Sequence, residues 1–443
     1  MRSEGLPDQT AFARICVSLV LSLIIVELKS QVWAQGSGKL PSYMGVASCA
    51  SSNCHGSVSP RNATTVLQNE YTTWQKHDAH AQAWLSLTNE DSKKIGAHMG
   101  IEAPEREPLC LSCHATYVSD KSREGKTFKV EDGVGCESCH GAAENYLGPH
   151  TARDATRKSS VAQGLTEMVA PELRAAMCLD CHYGNKDKTV NHRLIGAGHP
   201  RLTFEMDTFQ ALEPWHWNID EDYVSRKGDY VPARYWLAGQ IERAQRALEY
   251  LLDDKLSRSG SGFLAGPELT MLYCYSCHHS LTEKQWKSRD YGGKPGELRL
   301  NLASLIVVQE GFQVIAPATA KAIADGLDAL HTGGSLEDAR AEAKKLRSIL
   351  NEASIAAVSQ KFEEKSVNSL LKKLSTYGAN QPSLQFEIAE QIAMGLSSLI
   401  ATISNDGTLH KQEIDQIYSS LSTPEAFDPA GFSSACQGLL GKL

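Results

Sequence analysis

Five short stretches of this chain end in Cys-His. They are Cys49-Ala-Ser-Ser-Asn-Cys54-His55, Cys110-Leu-Ser-Cys113-His114, Cys136-Glu-Ser-Cys139-His140, Cys178-Leu-Asp-Cys181-His182 and Cys274-Tyr-Ser-Cys277-His278. Four have the C-x-x-C-H spacing of covalent haem attachment. Two thiols one turn apart can reach the two vinyl groups of one porphyrin, and the histidine that follows can ligate the iron. The first stretch has four residues between its cysteines; the extra residues can loop out and leave Cys54-His55 in the same local geometry. Zinc sites would need a second Cys or His pair per metal. A disulfide framework would not set a histidine after every second cysteine. The ten motif cysteines are therefore the expected thioether residues, and the expected cofactor is five covalent haem c groups. His55, His114, His140, His182 and His278 are the expected proximal ligands.

Fifteen histidines are present, so ten remain for five distal positions. Every iron could then be bis-histidine. Such irons carry electrons and leave no site for substrate. Met44, Met99 and Met177 read more simply as plain apolar residues. Tyr71 to Trp84 reads as one helix, which would set His77 and His80 on one face. His98 lies upstream of the second motif. The long gap between the fourth and fifth motifs holds His192, then His199 between Gly198 and Pro200, then His216 between Trp215 and Trp217. Arg193 and Arg201 could pair with haem propionates or stand as ordinary surface arginines. His279, directly after His278, suits a propionate partner better than a ligand.

The elements that must position these groups change character along the chain. Residues 1–34 read as a signal peptide: Arg2 and Arg14 flank an apolar run from Ile15 to Val26 too short to span a bilayer, and Val32-Trp33-Ala34 fits cleavage after Ala34. The address is then periplasmic or extracytoplasmic. Residues 35–297 form the haem-bearing domain, weakly helical and rich in turns. Within it, Pro232 to Asp253 reads as a helix with Trp236, Ile241, Ala244, Leu248 and Leu251 on one face. Residues 298–443 read as an α-helical C-terminal domain. Ser335 with Asp338 is a capping signal for a helix to Leu350. A helix from Ser366 to Tyr377 would stop at Gly378, and Pro382 would open another. The fold class is mainly α, with little regular sheet. The apolar faces of the late helices are core or subunit interface, so a homo-oligomer could form through them. Cys16 falls in the leader, and Cys436 reads as a buried or idle thiol. The net charge of −8 argues against nucleic acid and favours basic redox partners.

Residues 48–183 resemble the cytochrome c-554 family of multihaem c-type cytochromes. The resemblance rests on the first motif followed by Trp74 and Asp78-Ala-His80-Ala, on Leu109-Cys110-Leu-Ser-Cys113-His114, on Gly133-Val-Gly-Cys136-Glu-Ser-Cys139-His140-Gly141, and on Gly148-Pro149-His150. It implies that His150 ligates the first haem beside His55, and that His80 ligates the fourth beside His182. His77 becomes a neighbour that does not ligate. The third haem would take His199 or His192 from downstream, and the other could serve the fifth. The family's second haem is five-coordinate. Here His98 is the candidate that would close it.

The leading expectation is an electron carrier working between other redox proteins, with a membrane-associated complex as one candidate partner. The alternative is an oxidoreductase of a small nitrogen or sulfur species at one five-coordinate haem. The chain has no C-x-x-C-K motif, the lysine-ligated variant of multihaem nitrite reductases, which counts against that alternative.

Overall fold

Proline and glycine punctuation keeps the motif-bearing helices short. Pro108 and Pro171 open the helices Pro108–His114 and Pro171–His182, at the position where a missing N–H costs nothing. Each helix ends on its motif histidine. The five-residue helix Cys136–His140 stops at Gly141, whose φ of 80° suits glycine. This computed structural model describes residues 39–61, 66–258, 267–278, 299–332, 335–381, 384–404, 407–424 and 427–443. Among them no strand forms, and pairing is limited to isolated bridges such as Tyr43 with Glu124. The fold is all α, as the sequence predicts. The leader with Cys16, and also His279 and Pro382, lie outside the described residues.

One sequence expectation is overturned here. Tyr71 to Trp84 is not a single helix. The helix Glu70–His77 ends at Asp78, which is extended (φ −90°, ψ 127°). The Asp78 carboxylate then accepts the His80 backbone N–H and opens a 3-10 turn, Ala79–Gln82. A short acid that can cap the next turn competes with helix continuation, and here it wins. His77 and His80 therefore do not share a face, and His77 is exposed.

The main core lies late in the chain. The helix Pro232–Leu252 buries Trp236, Leu237, Ile241, Ala244, Leu248 and Leu251. It packs on Ala303–Ile315, Leu336–Ser359 and Phe386–Ile403, and on its other side against Pro171–His182 and Met206–Leu212. One buried cluster thus runs from Ala233 to Leu439, across both sides of the 297/298 division. The remaining clusters are small: Ala175, Leu179, Phe204, Met206 and Tyr235 in one, Leu87, Leu111 and Ala115 in the other. Phe386–Ile403 is long and apolar enough to cross a membrane, but most of it is buried among the other helices.

Helix ends differ from the sequence reading for packing reasons. Ser335 caps as expected, accepting the Asp338 N–H at 3.1 Å, but that helix continues to Ser359 because Ala353 and Ala357 prolong its buried stripe. Gly378 does not end its helix, Glu364–Asn380. The Sγ of Cys436 would lie 2.8 Å from a Cβ at Gly378, so glycine is required there by close approach. Cys436 is fully buried.

A buried carboxylate joins the two parts of the molecule. Glu205 accepts the Asp207 and Thr208 N–H groups at 2.9 and 2.8 Å, and Ser398 Oγ donates to it at 3.3 Å. Burial, then Asp207, pushes its carboxyl up to about 7 from 4.5. The folded protein therefore keeps a proton that the unfolded chain releases, and stability falls as pH rises from about 4.5 to about 7, by up to about 3 kcal/mol. Urea unfolding across that range should show this fall in the native protein and lose it in Glu205→Gln.

Candidate functional site

No disulfide joins the described cysteines, and each motif brings its two sulfurs and its histidine together by a local turn. In the fifth motif the His278 N–H reaches back to the Cys274 carbonyl at 2.9 Å. The stretched first motif keeps the same closure, with the His55 N–H on the Cys49 carbonyl at 3.1 Å. Its two additional residues are absorbed by a turn in which Cys54 N–H and Gly56 N–H both return to Ser51 O.

Each motif histidine faces one other imidazole. Ring centroids are 6.2 Å apart for His55 and His150, 6.4 Å for His114 and His199, and 6.4 Å for His140 and His216. They are 6.0 Å apart for both His182 with His80 and His278 with His192. A metal about 2.0–2.1 Å from each ring nitrogen, with each centroid about 1.1 Å further out, sets two centroids roughly 6.3 Å apart. The five pairs are spaced for an iron between them, and a thiol pair stands beside each. Among the described residues no three His, Cys, Asp or Glu side chains converge on a bare metal ion. The donor set fits haem c.

Hydrogen bonds at the other ring nitrogen orient these imidazoles. Nδ1 of His150 sits 2.9 Å from Tyr146 O and that of His199 2.7 Å from Pro200 O. Nδ1 of His114 lies 3.1 Å from both Ala83 O and Ser86 Oγ. Nδ1 of His55 meets Glu70 Oε2 at 2.9 Å, and Nδ1 of His80 meets Asp78 Oδ1 at 2.9 Å. An Nδ1–H donated this way leaves Nε2 with its lone pair free for a metal. Burial pushes His140 and His182 down to about 4 and lowers His114 and His216. They are neutral near pH 7, as ligation requires. Hydrogen bonds to Glu70 and Asp78 raise His55 and His80 instead.

The motifs also touch one another. The thiols of Cys49 and Cys136 are within hydrogen-bonding reach, as are those of Cys113 and Cys181. Cys139 lies near Cys178 and Cys181. Motif one therefore adjoins motif three, three adjoins four, and four adjoins two. Glu137, inside the third motif, ties this to the first: its buried carboxylate accepts the N–H groups of Met44, Gly45 and Ala143 at 2.7–2.8 Å.

The placement of the expected distal residues is uneven. His150, His80, His199 and His192 each face a motif histidine. His98 does not; it is exposed, its Nδ1 lies 3.1 Å from Ala197 O, and the ring opposite His114 belongs to His199. The ring opposite His140 belongs to His216, which sequence reasoning named without assigning; its setting between two tryptophans was the available signal. Arg201 is bidentate on Glu390, at 2.5 and 3.1 Å, and Arg193 donates to Met99 O. Glu70, Asp78 and Glu137 were missed, since a carboxylate beside a motif carries no pattern of its own.

Residues 48–141 match the family model described as Cytochrome c554 and c-prime. No curated protein and no solved structure matches the chain. The matched residues hold the first three motifs, His80 and the contact between motifs one and three. Over these residues the chain resembles the cytochrome c554 family, which supports a c-type cytochrome role in electron transfer and covalently bound haem c.

Proposed function

We propose that the protein is an exported pentahaem cytochrome that passes single electrons along five bis-histidine haems. The observation that carries this reading is the set of five histidine pairs at 6.0–6.4 Å, each with one motif histidine. In this reading His55/His150, His114/His199, His140/His216, His182/His80 and His278/His192 hold haems one to five, and the ten motif cysteines anchor them. The sulfur contacts order the haems one, three, four, two. His192 and His199 stand at the two ends of one short segment, so the fifth haem joins the row beside the second. Haems held in close succession would need no moving carrier between them, and what this chain's residues contribute is spacing, orientation and exclusion of water.

The leader at 1–34 supports export, and the acidic net charge suits a basic redox partner. Association through the C-terminal helices, with a second copy or a membrane-bound complex, belongs to the same proposal. Electron paramagnetic resonance with resonance Raman on the ferric protein is expected to show five low-spin haems per chain, and the reduced protein should bind neither carbon monoxide nor nitric oxide. A high-spin fraction near one haem in five would replace this reading with the oxidoreductase alternative.

A further inference from the structure

Two of the ten paired histidines donate to a carboxylate where three others meet backbone carbonyls. His55 donates to Glu70 and His80 to Asp78, each at 2.9 Å; His114, His150 and His199 face Ala83 O, Tyr146 O and Pro200 O. Neither carboxylate is there by chance of a flexible side chain. Glu70 begins the helix Glu70–His77, and its second oxygen accepts the Gln68 N–H at 3.1 Å. Asp78 is buried, and the same oxygen that meets the ring also caps the His80 backbone N–H at 2.9 Å. Each carboxylate is thus fixed by a second hydrogen bond besides the one to the ring.

We propose that Glu70 and Asp78 are positioning residues that lower the reduction potentials of the first and fourth haems. This rests on the coordination reading above and deepens it. The couple is Fe(III)/Fe(II), one electron and no proton. A fixed anion on the far side of an imidazole stabilises the ferric state, which carries one more positive charge. Its hydrogen bond also makes the ring a stronger donor to the metal. A carbonyl partner fixes the same tautomer without the charge. The haem at His114/His199, whose ligands meet only neutral partners, lacks this depression. In the order one, three, four, two, the two carboxylates therefore fall on alternate haems. The chain is then an uneven row of potentials rather than a level one.

The test is a spectroelectrochemical titration of the full haem-loaded protein in three forms: native, Glu70→Gln and Asp78→Asn. Haem content by pyridine haemochrome and spin state by electron paramagnetic resonance are read on the same samples. The amides keep the shape and an acceptor oxygen but remove the charge. Each variant is expected to keep all haems low-spin and to move one midpoint upward, a different one in each. The double variant should move both, and Glu70→Asp should restore the first. Unmoved midpoints in low-spin, fully loaded variants overturn the proposal and leave bis-histidine coordination standing. Loss of a haem or a new high-spin signal in both variants also overturns it, because the carboxylates would then be anchors of the ligand and not tuners of the metal. A high-spin haem in the native protein would instead fail the coordination reading itself.

Discussion

In the His216→Gly protein, one haem in five should turn high-spin and bind carbon monoxide on reduction, while His98→Gly should leave every haem low-spin. The contrast follows from placement. His216 faces the half-buried His140, pushed down to about 4 by burial and then by His216 itself. His98 is exposed and turned onto Ala197 O. Removing the His216 side chain leaves an imidazole-sized opening flanked by Trp217, which a diatomic ligand can enter. In the proposed row the third haem is interior, between motifs one and four, so electron exchange between the two ends should slow as well. Carbon monoxide binding to the His98 variant, with His216→Gly unchanged, would reverse the assignment.

The largest stability effect is expected at the contact between the helices Pro232–Leu252 and Phe386–Ile403. Trp236 is fully buried there, and among the described residues its indole N–H meets no hydrogen-bond partner. Truncation to alanine removes packing alone, at about 3–5 kcal/mol. The facing residue is Gly395, where an added Cβ would stand 2.5 Å from Trp236 Nε1. Gly395→Ala should therefore cost about 1–3 kcal/mol by overpacking. In the double variant the new methyl enters the space the indole left, and the combined cost should be smaller than the sum. Chemical denaturation followed by far-ultraviolet circular dichroism measures all three. Additive costs would mean that the two helices do not meet through this pair.

How much of this was legible in the sequence depends on the range of the interaction. Attachment chemistry is local: a C-x-x-C-H motif closes on itself, so all five motifs could be read directly, and even the stretched one keeps its Cys49 to His55 closure. The late helices were legible from their apolar spacing. Distal ligands are long-range. His199 and His216 are 85 and 76 residues from the histidines they face, and nothing in one sequence encodes which loop returns to which motif. His98 looked closer to His114 because it is nearer along the chain. The Tyr71 to Trp84 stretch failed for the opposite reason: a single local bond from Asp78 to the His80 N–H outweighed a helical pattern. The sequence division at 297/298 followed the last motif, whereas the packing follows Pro232–Leu252.

The concentration of buried apolar side chains between Ala233 and Leu439 has a consequence for biogenesis. Among the described residues, those before it contribute to two small clusters, one of them shared with Tyr235, little apolar area for so long a segment. The later helices build their core from their own apolar side chains. The earlier segment stays open, its thiols reachable by the attachment machinery, and gains order one ligand pair at a time. A chain of this design can order its rear from side chains alone, whereas its front is expected to need its cofactors to become ordered.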